Sequence, residues 1–250
     1  MAPAPPSGLP SFGDWDSSAY ARYRPTYPNS LFDMLAEECP RRRVAWDCAA
    51  GSGQATQALV QRFERVVATD VNAAQLGAGS FGGGIPITSD AVAAPLRSHS
   101  VDLVIVAQAL HWFAGPAFFA EVERVATGGK FAAWTYGLFS VHESVDPIIE
   151  NLYANIVGPY WPAERRHIEA NYSTIQFLLP KHRQEQLSMS VEWTASDAVA
   201  YLTTWSAVRR YRDATKQDPV AQIEATLRDA WGTGSRTVAW PLSVHLCDVP

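Results

Sequence analysis

Apolar and polar positions alternate in blocks through the first half of the chain, as expected when strands and helices follow one another. Short apolar runs predict five strands, at residues 44–48, 65–71, 85–88, 101–106 and 130–135. The branched, almost uninterrupted run at 101–106 is typical of a strand that is buried on both faces. Helical spacing between the runs predicts helices at 54–62 and 116–125. This alternation predicts an α/β fold with a mostly parallel sheet.

The pattern changes after Gly137. Residues 142–172 read as helical, and we expect a helical cap insertion over the open end of the sheet at about 140–182. Further on, Val199, Leu202, Trp205 and Val208 recur at the spacing of one helix. Another helix is predicted at 219–231, and late strands at 187–193 and 237–247. The expected result is a seven-stranded sheet completed by an antiparallel edge strand.

Composition limits the class of protein. The chain has 250 residues, 47% of them hydrophobic, which is enough for one sizeable core. Its 20 basic and 25 acidic residues give a formal net charge of -5, whereas a nucleic-acid partner calls for a concentrated basic surface. The only tight basic cluster is at residues 41–43, and we interpret it as the solvated approach to a strand. We therefore expect a small-molecule substrate, with no nucleic-acid or membrane partner.

The cysteines and the first residues of the chain indicate the cellular compartment of the protein. Three cysteines without CxxC spacing argue against a disulfide framework or a structural zinc site, and favour a reducing cytoplasm. Residues 1–10 are rich in proline and small residues, and lack the pattern of a secretory signal. No run approaches the roughly 18 apolar residues of a membrane span. We expect residues 1–14 to be disordered, residues 15–250 to form one domain, and the protein to be a cytoplasmic monomer or homodimer.

The loop after the first strand carries the main chemical signal. Gly51 and Gly53 allow the backbone to approach a ligand closely at the start of a helix, while Asp47 could hold a polar ligand group. Asp70 ends the next strand, where a carboxylate can accept hydrogen bonds from both ribose hydroxyls. A dinucleotide fingerprint needs a third glycine, but this sequence has Ala55 and Thr56 there. A ligand with a ribose and no pyrophosphate suits this loop better.

Several segments, taken together, resemble a known family. They are Tyr20 to Pro28 (YARYRPTYP), the loop from Asp47 to Gly53, Ala68 to Asp70, Ser89 to Ala91, and Gln108 to Phe113 (QALHWF). Their residues and order are similar to those of the class I S-adenosylmethionine-dependent methyltransferases, in the type 11 group that includes trans-aconitate methyltransferase-like proteins. The resemblance covers roughly the first 135 residues. It implies a Rossmann-like fold, with S-adenosyl-L-methionine as the cofactor.

The resemblance also implies residue roles. Gly51 and Gly53 would line the methionine part of the cofactor, Asp70 would bind its ribose, and Asp90 would receive the adenine amino group. An N-terminal lid at about 15–28 would contribute Tyr23 and Arg24. The implied cofactor-binding set is Tyr23, Arg24, Asp47, Ala49, Gly51, Gly53, Asp70, Val71, Asp90, Ala91 and Gln108. Three alternatives stay open: Asp90 as an ordinary turn residue, Asp47 as a brace of the loop, and Arg24 as a surface residue in an extended segment.

One position departs from the family pattern. Ala49 stands where the family's loop usually has its first glycine. An alanine is tolerable there if its backbone is not left-handed.

Methyl transfer from a sulfonium needs a base only when the acceptor must lose a proton. His111 follows the fourth strand at the carboxyl end of the sheet, and is the candidate for a base or an orienting group. Expected substrate-facing residues are His111, Trp112, Trp134 and Tyr136. Aromatic residues of the insertion and one of Arg165 and Arg166 are further candidates, with structural packing as the alternative for each aromatic. No metal-ligand spacing is present, so no metal is expected.

Methyl transfer to an oxygen or nitrogen of a small metabolite is the leading hypothesis. An NAD(P)-dependent oxidoreductase is the second, supported by the glycine loop and Asp70 but opposed by the missing third glycine. A cofactor-binding regulator without catalysis is the third.

Overall fold

The computed structural model describes residues 25–250. Its framework is a seven-stranded sheet in the order β3-β2-β1-β4-β5-β7-β6. The strands are β1 (Val44–Cys48), β2 (Arg65–Asp70), β3 (Ile85–Thr88), β4 (Leu103–Ala107), β5 (Lys130–Tyr136), β6 (Arg183–Trp193) and β7 (Arg236–Asp248). The predicted α/β fold with a seven-stranded sheet is therefore confirmed.

The orientation of the strands refines that prediction. Strands β1 to β5 pair in parallel, with β1 between β2 and β4. Strand β7 pairs antiparallel with β5. It lies one place in from the edge, because β6 is the outermost strand on that side. The antiparallel strand is thus next to the edge of the sheet and not at the edge itself.

Helices follow the strands in the first half of the chain. They are α1 (Asn29–Glu38), α2 (Gln54–Leu59), α3 (Ala73–Ala78) and α4 (Pro116–Ala126). Helix α4 packs Phe118 and Phe119 against Phe131 of β5, in a cluster that includes Val104 and Val106 of β4. Helix α3 was not expected from the sequence. The side chain of Asn72 starts it by accepting hydrogen bonds from the amides of Ala74 and Gln75.

The chain separates into two compact units. The sheet unit consists of Thr26–Leu138, Glu164–Met189 and Trp240–Pro250. The helical unit, in its described part, consists of Pro25, Phe139–Ala163 and Ser190–Ala239. The stretch expected to form one cap insertion, 140–182, is divided between them.

The helical unit contains α5 (Asp146–Asn151), a π-helical turn (Leu152–Ile156), a 3₁₀ turn (Gly158–Tyr160), α7 (Ala195–Thr203), α8 (Ser206–Thr215) and α9 (Ala221–Trp231). Tyr153, Trp161 and Trp205 pack on one another, with ring centroids 5.0 to 5.7 Å apart. The Trp161 indole also donates to the Tyr153 carbonyl. These aromatic residues therefore stabilise the unit they belong to.

Two predicted helices are interrupted. The prediction of one helix through Val199 and Val208 is wrong, because the helix is interrupted between α7 and α8. The Thr203 and Thr204 hydroxyls bond back to the carbonyls of Ala200 and Tyr201, and Trp205 is extended. The stretch 142–172 is also divided into short turns, and its last helix, α6 (Arg165–Glu169), belongs to the sheet unit.

Among residues 25–250, no helix combines the length and apolar character that a membrane span requires.

Candidate active site

The predicted site residues of the sheet unit gather where its parallel strands end. In the register of the sheet, Cys48 at the end of β1 lies between Thr69 of β2 and Val106 of β4. From β1 the chain continues to β2 and β3 on one side, and then crosses to β4 on the other. Ligands of open α/β sheets bind at such a switch in strand order, beyond the carboxyl ends of the strands.

The glycine loop begins at this switch. Gly51 and Gly53 both have positive φ, +56° and +86°. A Cβ atom at Gly53 would lie 2.5 Å from the Ser80 carbonyl oxygen, whereas one at Gly51 would meet, among residues 25–250, only Gln75 Oε1, at 3.4 Å. Gly53 is therefore required for packing of the loop. Gly51 leaves open space beside the backbone that a ligand can approach.

Ala49 does not meet the condition under which an alanine is readily tolerated in this loop. Its φ is +58°, so it is in the left-handed conformation. The clash of Cβ with the following carbonyl makes this conformation cost about 1–2 kcal/mol for an alanine. Ala49 therefore holds strain that a glycine at this position would not have. Such strain is commonly held at functional sites.

Asp70 joins the glycine loop to the end of β2. Its Oδ2 accepts a hydrogen bond from the Gly51 amide at 2.9 Å, and its Oδ1 accepts one from the Asn72 amide at 2.8 Å. A carboxylate can accept about four hydrogen bonds, so these two leave capacity for ribose hydroxyls. Next to it, the Val71 side chain is 60% exposed. Asn72 was not predicted from the sequence. The pattern that could have indicated it is an asparagine two residues after Asp70, at the start of helix α3.

Asp47 lies inside the protein. It is fully buried, and the Thr56 hydroxyl donates to its Oδ2 at 2.6 Å. Within residues 25–250, no group bonds to its Oδ1. Burial raises the pKa of this carboxyl to about 7, with a further contribution from Asp70. The sequence singled out Thr56 only because it stands where a dinucleotide site has a glycine. In the structure its hydroxyl fixes the Asp47 carboxyl, which supports the alternative that Asp47 braces the loop.

Asp90 and Ala91 follow β3. The Asp90 side chain is exposed, and its Oδ1 accepts a hydrogen bond from the Val92 amide at 3.1 Å. Ala91 is buried. The Ser89 amide donates to the Asp70 carbonyl at 3.0 Å, which fixes this turn beside the end of β2. Asp90 therefore makes the turn contact that the sequence left as an alternative, and its exposed carboxylate stays available to a ligand.

Gln108 connects the ends of β4 and β5. Its Nε2 donates to the Tyr136 carbonyl at 2.9 Å, and its Oε1 accepts from the Thr135 hydroxyl at 2.7 Å. Its φ is +57°, so after Ala49 it is a second non-glycine residue in the left-handed conformation at this end of the sheet. Because both ends of the amide are bonded within the protein, the side chain fixes the shape of the site. Thr135 is a residue that sequence reasoning missed.

His111 lies in a 3₁₀ turn (Leu110–Trp112) after β4. Its Nδ1 is 3.1 Å from the Tyr172 hydroxyl oxygen, and its ring centroid is 4.7 Å from that of Trp112. Burial lowers the pKa of His111 to about 3, with contributions from Arg165 and His167. The imidazole is therefore neutral over the physiological pH range. The structure brings in Tyr172, which is 61 residues away in the chain.

Two of the expected substrate-facing residues lie in the core. Trp134 is completely buried and packs edge-on against Tyr27 and Phe32, at 5.3 and 6.0 Å. Tyr136 is 3% exposed and packs against Tyr27 and Trp240. Both were expected to face the mouth of the site, and that expectation is wrong for this structure. Every residue of β5 after Lys130 is buried, so neither face of the strand opens to a ligand.

Two predicted residues, Tyr23 and Arg24, lie outside the described residues, as does most of the expected lid. In the part of the chain that the structure describes, no group of three or more His, Cys, Asp or Glu side chains is arranged to hold a metal ion.

Comparison with known proteins gives consistent matches. A family model described as a methyltransferase domain matches residues 46–133, which run from β1 into β5. A Dictyostelium discoideum protein named as a methyltransferase is 30% identical over 223 residues, covering 87% of this chain and 85% of that protein. A Saccharomyces cerevisiae protein described as an S-adenosylmethionine-dependent methyltransferase is 28% identical over 182 residues, covering 64% and 60%.

Among solved structures, a protein of Anaeromyxobacter dehalogenans described as a type II methyltransferase superposes with a TM-score of 0.84. It is 40% identical in sequence, and the match covers 90% of this chain and 98% of that one. The likeness therefore extends well beyond the glycine loop.

Proposed function

Because the chain belongs to the class I S-adenosylmethionine-dependent methyltransferases, we propose that it transfers a methyl group to an oxygen or nitrogen of a small metabolite. The observation that carries this proposal is the contact between Gly51 and Asp70 at the switch in strand order, with His111 on the loop after the adjoining strand β4. It supports the proposal because a carboxylate suited to a ribose, a glycine loop and a polar side chain lie at the same edge of the sheet.

The residues at this edge fit the cofactor. Asp70 keeps lone pairs for two ribose hydroxyls while two backbone amides hold it in place. The exposed Val71 offers an apolar surface for the adenine ring, and the exposed Asp90 a carboxylate for its amino group. Gly51 leaves the space that the methionine part requires.

When bound, S-adenosylmethionine supplies a methyl group that is already activated by its sulfonium. The chain's own contribution is to position the acceptor and exclude water. Gln108 fixes the ends of β4 and β5, and His111 presents a neutral imidazole on the loop that follows β4. A neutral imidazole can orient an acceptor without placing a second positive charge beside the sulfonium.

The charge distribution supports a small-molecule acceptor. The formal net charge is -5. The arginine triplet at residues 41–43 is used within the fold, since Arg41 pairs with the buried Asp102 at 3.1 Å and Arg42 donates to the Ala36 carbonyl. Arg43 also lies 3.9 Å from Asp102. These arginines are engaged in holding the start of β1, which disfavours a nucleic-acid acceptor. The resemblance to trans-aconitate methyltransferase-like proteins favours a carboxylate among small acceptors.

Labelled cofactor tests this proposal. The protein is incubated with S-adenosylmethionine carrying a deuterated methyl group and with three acceptor pools: small metabolites, total RNA and total protein. We expect mass spectrometry to find a deuterated product in the metabolite pool, and none when Asp70→Ala replaces the wild type. Label confined to RNA or protein, or no transfer to any pool, would contradict the proposal.

A further inference from the structure

The hydrogen bond between Tyr172 and His111 has a direction that decides what His111 can do. The phenol oxygen is 3.1 Å from His111 Nδ1, and the Tyr172 side chain is completely buried. Burial raises the pKa of this phenol, so it keeps its proton. A buried hydroxyl proton needs an acceptor, because leaving it unpaired is costly.

The chemistry of the two groups sets the direction. A neutral imidazole has one N–H donor and one nitrogen with a lone pair. Its unprotonated nitrogen is a stronger acceptor than a phenol oxygen, and a phenol is a stronger donor than a neutral ring N–H. The phenol therefore donates to Nδ1. Thr135 also lies within reach of the phenol, but its hydroxyl proton is donated to Gln108, so it offers only an oxygen lone pair, which is a weaker acceptor than the imidazole nitrogen.

The backbone of Tyr172 is in a strained conformation that its surroundings must maintain. Its φ is +61°, and that of Asn171 is +49°. A bulky residue in this region is a true outlier and persists only where the surroundings enforce it. Part of that enforcement comes from β7, where His245 Nε2 lies 2.7 Å from the Asn171 carbonyl. A carbonyl can only accept, so His245 donates this bond.

We infer that Tyr172 is a positioning residue that keeps His111 in the tautomer protonated at Nε2. In that tautomer His111 donates a hydrogen bond to the methyl acceptor and does not act as a general base. The inference rests on the proposed function and deepens it. The acceptor's lone pair forms the new bond to the methyl carbon, and the electron pair of the broken carbon–sulfur bond remains on sulfur. An anionic oxygen balances this step without losing a proton.

Nearby charge agrees with an anionic acceptor. Helix α6, which begins at Arg165, lies against the 3₁₀ turn that carries His111. Besides burial, the positive charge of Arg165 disfavours protonation of the imidazole. The same charge attracts an anionic oxygen that receives the Nε2–H hydrogen bond. The substrate class indicated is therefore a small molecule with an ionised oxygen, methylated at that oxygen.

Nitrogen NMR of the ring tests the tautomer directly and needs no substrate. With ¹⁵N-labelled histidine, two-bond proton–nitrogen correlations distinguish protonated from unprotonated ring nitrogens, and His111→Gln assigns the signals. We expect an unprotonated Nδ1 and a protonated Nε2 in the wild type. Tyr172→Phe, folded as judged by unchanged binding of S-adenosylhomocysteine, should shift the Nδ1 signal because its hydrogen bond is lost. A wild type protonated at Nδ1, or an unchanged signal in Tyr172→Phe, overturns the inference.

Activity on the acceptor provides an independent measurement. The glutamine amide can donate near the position of the histidine Nε2 but cannot accept a proton, so His111→Gln separates a donor from a base. We expect His111→Gln to lose roughly tenfold in turnover and His111→Ala about a hundredfold, as for a hydrogen bond to a charged group. Equal losses of about a hundredfold or more in both variants indicate a base and overturn the inference. If the wild type forms no methylated product, the proposed function is contradicted. The NMR measurement tests the tautomer of His111 independently of that result.

Discussion

The backbone amide of Gly51 donates a 2.9 Å hydrogen bond to Oδ2 of Asp70, which joins the loop after β1 to the end of β2. One carboxylate thus shapes the loop and, in the proposed function, binds the ribose. The proposal therefore couples cofactor binding to loop geometry through this side chain.

Replacing Asp70 by alanine should weaken S-adenosylhomocysteine binding about 100-fold. The variant loses charged hydrogen bonds to the ribose, worth about 3 kcal/mol together, and the amides of Gly51 and Asn72 lose their acceptor. Calorimetric titration measures the affinity, and a thermal melt without ligand shows whether the variant is folded. Unchanged affinity in a folded variant would refute the ribose assignment.

Ala49→Gly should stabilise the protein by about 0.5–1 kcal/mol. Glycine removes the cost of the left-handed conformation at φ +58°, although it gives the unfolded chain more freedom. Ala50→Gly is the matched control, because Ala50 does not have a positive φ, and it should destabilise the protein. Urea unfolding measures both. A loss of stability in Ala49→Gly would contradict the strain assigned to this residue.

The two loop glycines should differ in their tolerance of alanine. Gly53→Ala places Cβ 2.5 Å from the Ser80 carbonyl oxygen and 2.6 Å from Phe81, in addition to the left-handed strain, so we expect a loss of about 3 kcal/mol or more. Gly51→Ala has only the strain, about 1–2 kcal/mol. The free energies of unfolding of both variants check this order. Equal losses of stability in the two variants would contradict the close packing around Gly53.

Asp47→Asn should stabilise the ligand-free protein in a pH-dependent way. The pKa of Asp47 is raised from 3.8 to about 7, so the folded protein holds this proton where the unfolded chain has released it. Its contribution to stability therefore falls as the pH rises from about 4 to about 7, and stays constant above that. The advantage of the Asp47→Asn variant over the wild type should be small at pH 4 and reach roughly 2–4 kcal/mol at pH 8.

Urea unfolding at these two pH values measures the Asp47 effect. The exposed Asp229→Asn variant is the control and should follow the wild type at both. An Asp47→Asn advantage that is the same at both pH values would mean that folding does not raise the pKa of Asp47.

The strands were predictable because their signal is local. Strands β1 and β3 have the predicted bounds, since each is a short, mainly apolar run that begins directly after a charged residue or a glycine. Helix α3 escaped prediction because only Leu76 of its six residues is buried, so there is no apolar periodicity, and the side chain of Asn72 sets its start. The break at Trp205 also depends on threonine hydroxyls and not on the apolar pattern.

The site was predictable where the residues sit at strand ends, as Gly51, Asp70 and Asp90 do. Residues brought in by tertiary structure were not. Tyr172 reaches His111 from 61 positions away, and only the folded chain shows that they meet. Trp134 was assigned to the wrong environment because a strand buried on both faces has no alternation to show where its side chains point.

The most direct test of the central claim, that this edge of the sheet binds S-adenosylmethionine for methyl transfer, is calorimetric titration of the wild-type protein with S-adenosylhomocysteine and with NADH. We predict one tight site for S-adenosylhomocysteine, lost in Asp70→Ala, and no binding of NADH. Binding of NADH without binding of S-adenosylhomocysteine would contradict the account.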